Sequence, residues 1–264
     1  MSKADLYSLK TEMARIKRQR TPIYTNYYMN TPENAEYDAV LLPGALVFSF
    51  TDNGIVRVYF YTNDADGITD ALCDFPSHSV IEYITNSSAS FEATLSKTGY
   101  KLYAVMQKMV NADLHATFEK NMSQSIFETF RDNRGAFAAE DDACAILDLL
   151  YKHLDKYTGH FCGYDELIGM LANKLVVCNK LDGEIVSFFM YKLEGRKFYA
   201  YQMYSRDSGE GIHCIYYNAI KSQMNNGINY AYNWVNVTNK RVIRFHKWYG
   251  FELNPLKDYV YIKE

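Results

Sequence analysis

Arg206, Gly209 and Gly211 share a short run, Arg206-Asp207-Ser208-Gly209-Glu210-Gly211, in which two glycines free the backbone to turn sharply and gather several N–H groups toward one concavity. Placed at the start of a helix, such a turn cradles an anion, a phosphate or pyrophosphate above all, because unpaired N–H groups and the helix dipole both favour negative charge there. The flanking residues predict that setting. Phe198, Ala200 and Gln202 alternate with Tyr199, Tyr201 and Met203 as a strand, and Ile212, Ile215, Tyr216, Ala219 and Ile220 recur at helical spacing until Gly227 closes the helix.

Two other groupings could do chemistry. His153, His160 and Cys162 lie close in sequence, but no further ligand has metal-site spacing, so they read as structural and no metal is expected. His213-Cys214 falls in the first turn of the helix after the cradle, a place that can lower a thiol pKa. Downstream, Ile228 to Val235 alternates as a strand, and the segment after it predicts a helix with Asn239 as N-cap and Gly250 at its end.

The Arg-x-x-Gly-x-Gly spacing resembles the acyl-CoA pyrophosphate loop of the GNAT superfamily of N-acyltransferases. Asn239, Val242, His246, Gly250 and Phe251 are similar in order and distance to the last helix and turn of that superfamily. The resemblance implies an α/β (α+β) fold, a mixed and mostly antiparallel sheet flanked by helices. It implies acetyl-CoA as acyl donor, direct attack by a primary amine and no metal. Cofactor contacts would come from Met203, Tyr204 and Ser205 on a splayed strand edge, and from Arg206, Asp207, Ser208, Gly209, Glu210, Gly211 and Ile212 at the cradle. Asn239 and Phe245 would complete them from the last helix.

His246 stands where the superfamily usually has a Tyr, sometimes a His, that protonates the departing thiolate; Tyr249 is the alternative acid. Cys214 falls at an aliphatic core position of the pattern. The base is open among Asp207, Glu210 and Glu184. Two other functions stay open, a non-catalytic acyl-CoA or metabolite sensor and an aminoacyl transferase of the Fem type. The intact loop and the absence of a basic excess speak against the latter.

A chain of 264 residues, 48% hydrophobic, can bury two cores of about 130 residues each. The net charge of -3 argues against a general nucleic-acid binder. Five scattered cysteines without C-x-x-C pairing predict reduced thiols, and the N-terminus lacks a signal-peptide pattern, so a cytoplasmic protein with no membrane partner is expected. The expected partner is a small-molecule or peptide amine, with homodimerisation left open. The basic run Arg15 to Arg20 reads as a solvated helix end.

Read in order, the first half predicts a helix over 4–20, a hairpin turning at Asp52-Asn53-Gly54, a helix over 68–75, a strand over 79–85, a helix over 88–97 and a strand over 101–110. That order matches the second half. A degenerate GNAT-like domain over 1–118 and an acyl-CoA-binding one over 119–264 are therefore expected, with a polar joint near 115–124 and a strand over 126–130. The Gly67 loop lacks the cradle pattern and Leu95 stands where His246 stands, so the first copy is read as non-catalytic.

Overall fold

The computed structural model describes residues 1–19, 22–28, 35–86, 91–121, 135–206 and 210–264, with 118–121 and 210 described by backbone alone. The chain divides into two units, residues 1–106 with 256–264, and residues 107–255. No described helix is long and apolar enough to cross a membrane.

In the first unit, β1 (Ser2–Ala4) precedes α1 (Leu6–Lys17), shorter than the helix expected over 4–20. The Asp5 carboxylate caps α1 by accepting from the Ser8 N–H at 2.7 Å. Its Leu6, Leu9, Met13 and Ile16 stripe packs on Tyr37, Leu46 and Phe48. After β2 (Tyr24–Thr25), the strands β3 (Tyr37–Leu42), β4 (Ala45–Asp52) and β5 (Ile55–Thr62) form an antiparallel meander. Asn53 and Gly54 both take positive φ in the two-residue turn, matching the twist of the strands they join. Then come α2 (Thr69–Cys73), β6 (Val80–Thr85) parallel to β5, α3 (Glu92–Lys97) and β7 (Tyr100–Asn111).

The second unit opens with α4 (Leu114–Asn121), where a polar joint was expected; the Asp113 carboxylate caps it from Ala116 N–H at 3.0 Å, and Leu114 is buried. The strand expected over 126–130 lies outside the described residues. There follow β8 (Ala136–Phe137), α5 (Ala143–His153), α6 (Tyr164–Ala172), β9 (Val176–Leu181), β10 (Glu184–Glu194) and β11 (Lys197–Ser205). Next are α7 (Glu210–Asn225), β12 (Tyr230–Asn236) parallel to β11, α8 (Lys240–Trp248) and β13 (Glu252–Lys263). Strand alternation gives this sheet two apolar faces. Phe188 and Met190 of β10 pack with α5 and α6, whereas Phe189 and Tyr191 pack with α7.

The element order from β3 to β7 recurs from β9 to β13. Each unit is nonetheless completed by a strand from the other half: β13 lies beside β6 in the first, and β7 beside β12 in the second. The β6–β13 register runs antiparallel from Lys257↔Thr85 to Ile262↔Val80. This exchange is why the units do not divide at a single cut after residue 118. It is anchored by Lys263, a buried lysine whose ammonium donates to the carbonyls of Leu72 at 3.1 Å, Phe75 at 2.7 Å and Cys73, closing the C-terminal end of α2.

Candidate functional site

The site begins with a bulge. Between Met190↔Gln202 and Tyr191↔Ala200 the β10–β11 register skips Tyr201, so one extra residue resets the alternation of β11. The sequence pattern put Met203 with Tyr199 and Tyr201, but the bulge turns Met203 to the α7 face, while Tyr201 and Tyr204 pack with the α5–α6 core.

The parallel pairing of β11 with β12 covers only Lys197↔Tyr230, Phe198↔Ala231 and Tyr199↔Tyr232. The last pair is locked by stacked tyrosine rings, 4.7 Å apart and 1° from parallel. Beyond it the two strands have no pairing with each other among the described residues, and β11 continues to Ser205 as one arm of a fork. Its other edge stays fixed to β10, since the Arg206 N–H donates to Val186 O at 2.9 Å.

Beside this fork lies a cavity of about 850 Å³. Met203, Tyr204 and Ser205 line it from β11, Ile212 and His213 from the first turn of α7, His153 from α5, and Asn239, Lys240, Arg241, Val242, Arg244, Phe245 and Trp248 from α8 and its N-cap. The α8 contribution follows helix geometry, since Arg241, Arg244, Phe245 and Trp248 fall on one stripe at i, i+3, i+4 and i+7. Asn239 starts the helix as expected, its side-chain oxygen accepting from the Val242 N–H at 3.1 Å. Lys240, Arg241 and Arg244 bring three cations to the lining, and no described lining residue is acidic. An anionic ligand is therefore favoured by charge.

Six residues expected at the cofactor site, Met203, Tyr204, Ser205, Ile212, Asn239 and Phe245, are brought together here. Asp207, Ser208 and Gly209 lie outside the described residues, as does the Glu210 side chain. Arg206 and Gly211 are not in the cavity lining. The Arg206 guanidinium pairs with Glu184 at 3.6 Å with both side chains exposed, so Glu184 is turned away as a base. Gly211 is held by a residue that sequence reasoning passed over: Asn179 Nδ2 donates to Gly211 O at 2.7 Å and to Ser187 Oγ at 3.2 Å, pinning the start of α7 to β9 and β10.

His246 stands apart from the cavity lining. It is buried, does not line the cavity, and its Nδ1 lies 3.0 Å from the Tyr216 hydroxyl within the core. Burial pushes its pKa down to about 3, leaving a neutral imidazole unsuited to donating a proton at neutral pH. The physical reason is rotational: His246 sits one residue past the cavity-facing Phe245, about 100° around the helix. Tyr249 is also buried and off the lining, yet it reaches the cavity through His213, whose Nδ1 is 3.0 Å from the Tyr249 hydroxyl. That hydroxyl also donates to His213 O at 3.2 Å. Burial lowers the His213 pKa. Two histidines outside the expected site residues thus line the cavity, His213 and His153, the latter stacked on Tyr204 with ring centroids 4.8 Å apart. The four α8 residues Lys240, Arg241, Arg244 and Trp248 had no motif to mark them. The signal available was their period.

No protein-family model matches this chain, and no curated protein matches it. Solved structures share its fold. It is similar to a GCN5-related N-acetyltransferase from Sphaerobacter thermophilus, with 12% identity, a TM-score of 0.59 and coverage of 89% of this chain and 82% of that one. It is similar over 100% of both chains to a GNAT-family acetyltransferase from Colwellia psychrerythraea, at 8% identity and a TM-score of 0.55. At these identities the likeness is one of fold.

Proposed function

We propose that this chain is an acyl-CoA-dependent N-acyltransferase that moves an acetyl or other short acyl group to a primary amine on a small molecule or peptide, with the acyl donor held in the second unit. The observation that carries this reading is the fork between β11 and β12, which opens beside a cavity whose charged lining is cationic. An acyl-CoA is a polyanion with a long, amide-bearing arm. Arg241, Arg244 and Lys240 would meet its phosphates, and the stretch of β11 from Met203 to Ser205, past the last β11–β12 pair, would take the arm and polarise the thioester carbonyl. Binding energy from the remote phosphates would orient the acyl carbon for attack.

In the transfer, the neutral amine nitrogen attacks the thioester carbon, the C–S bond breaks as the C–N bond is kept, the nitrogen sheds a proton and the thiolate takes one. His213 is the cavity's candidate to move a proton, and Tyr249 is its positioning residue. His246 is assigned a packing role.

The first unit, on this reading, is a degenerate copy that binds no acyl-CoA. The loop after β5 is closed by its own acid: Asp64 Oδ1 accepts from the Asp66 N–H at 3.1 Å, and a Cβ at Gly67 would meet Asp64 Oδ2 at 2.8 Å. A carboxylate therefore fills the place where a phosphate would need N–H donors. Helix α2 also spans five residues against sixteen in α7.

A non-catalytic sensor is the second reading, favoured by the lack of any carboxylate among the described lining residues. Incubation with acetyl-CoA and a panel of amines, following thiol release, separates the two. Amine-dependent thiol release supports transfer. Saturable acetyl-CoA binding without release across the panel supports a sensor.

A further inference from the structure

A third strand stands in the sheet of the first unit where β5 and β6 part. Along one edge β5 is paired throughout by β4, from Asp52↔Ile55 to Ala45↔Thr62. On its other edge the β6 register covers Arg57↔Val80, and further along β2 takes over with Tyr24↔Thr62 and Thr25↔Tyr61. Among the described residues, β11 of the second unit has no such third strand.

Past the two backbone pairs, the segment goes on occupying the β5 edge through its side chains. Asn26 is 2% exposed; its Nδ2 donates to Val58 O at 2.9 Å, and its Oδ1 accepts from the Phe60 N–H at 2.7 Å. A side-chain carboxamide thus makes the two bonds that a neighbouring strand would make through its backbone. Thr25 Oγ1 donates to Phe60 O at 2.8 Å and accepts from the Tyr27 N–H at 3.0 Å, and the Tyr28 hydroxyl donates to Ile84 O of β6 at 2.7 Å. Packing follows strand alternation, with Ile23 and Tyr27 in the core under α1 and Tyr24 in the core under α2 and α3.

A sheet captures an extended peptide in this way, with main-chain bonds along an edge and side chains seated on alternate faces. Only two residue pairs tie β2 to β5 by backbone, so the selective contacts are the hydroxyl, the carboxamide and the aromatic rings around them. We propose that the gap between β5 and β6 is a binding site for an extended peptide carrying a hydroxyl residue and then Asn between aromatic residues, and that residues 24–28 are its built-in occupant. Held at high effective concentration by its own chain, the resident strand keeps the site closed to a peptide in trans. The site is the same whatever the second unit binds.

The test uses a fluorescent peptide, Pro-Ile-Tyr-Thr-Asn-Tyr-Tyr, copied from residues 22–28, with the whole wild-type chain and with the double variant Thr25→Ala, Asn26→Ala. Weakening the resident strand should make the peptide bind at least tenfold more tightly than it does to wild type, and a peptide with Ala in place of Asn should show no such gain. Hydrogen exchange reads occupancy in the same samples. The Phe60 amide should exchange at least tenfold faster in the variant and slow again with peptide, while the Tyr59 amide, which alternation turns to β4, keeps its wild-type rate. Asn26→Ala alone serves if the double variant does not fold. Equal peptide affinity in variant and wild type, unchanged Phe60 exchange, or equal binding of the Ala-containing peptide would overturn the proposal.

Discussion

The hydroxyl of Tyr249 lies 3.0 Å from Nδ1 of His213 and donates to the carbonyl of the same residue at 3.2 Å, so one phenol fixes the ring of the histidine that lines the cavity. The end of α8 is held in turn by Asn111, whose Nδ2 donates to Tyr249 O at 3.0 Å. Gly250 at φ +80° lets the chain pass close to Thr117 and Asn111, where a Cβ would meet Thr117 at 2.9 Å. The proton-handling pair is thus set by packing at the helix C-terminus.

His213→Asn keeps a group near Tyr249 but removes the titrating ring. We expect kcat to fall about a hundred- to ten-thousandfold with little change in acetyl-CoA affinity. Because burial lowers the His213 pKa, the basic form should persist below pH 6.5, and activity should decline only as pH drops further. Tyr249→Phe should move that acid limb, an effect that lost packing alone would not give. A wild-type rate and pH profile in both variants would remove the pair from the mechanism.

His246 offers a stability test. Its folded pKa of about 3 lies below the ordinary 6.5, so as pH falls past 6.5 the unfolded chain takes up a proton that the folded chain refuses. The stabilisation is fully present above pH 6.5 and is lost as pH falls from there toward 3, at about 1.4 kcal/mol per pH unit. His246→Phe should flatten this dependence in urea unfolding, cost about 1 kcal/mol at neutral pH for the Tyr216 hydroxyl left without its partner, and leave kcat within a few-fold. A large kcat loss with unchanged acid sensitivity would restore His246 to the chemistry.

Much of the fold is legible in the sequence. The boundaries of β5, the Asn53-Gly54 turn, the Asn239 cap and the Gly250 terminus follow from alternation, turn chemistry and capping, all of them local. Nonlocal choices are not. Nothing near residue 257 signals that β13 pairs with β6, and the polar composition of 114–121 hides a helix in which Leu114 is buried. At the site, motif spacing groups Met203, Ser205, Asn239 and Phe245, which line one cavity, yet it cannot fix which stripe of α8 faces inward. That rotation decides between His246 and the Arg241, Arg244, Phe245, Trp248 stripe.

Lys263 tests the exchanged strand. Lys263→Met removes one ammonium and leaves the Leu72, Cys73 and Phe75 carbonyls without that donor. We expect a loss of roughly 1–3 kcal/mol in urea unfolding, with acetyl-CoA binding in the second unit unchanged once folded. Undiminished stability would show that the cap contributes nothing to holding β13.

Calorimetric titration of acetyl-CoA into wild-type protein and the double variant Arg241→Glu, Arg244→Glu tests most directly whether the cationic cavity of the second unit is the acyl-donor site. Both arginines are exposed on α8, so charge reversal should leave the fold intact, as the melting temperature would verify. We expect one site per chain in wild type and at least a tenfold weaker affinity in the double variant, with a wild-type affinity that falls as salt is raised. Equal affinity in the two proteins, a second site of similar strength, or no binding to wild type at millimolar acetyl-CoA would contradict it.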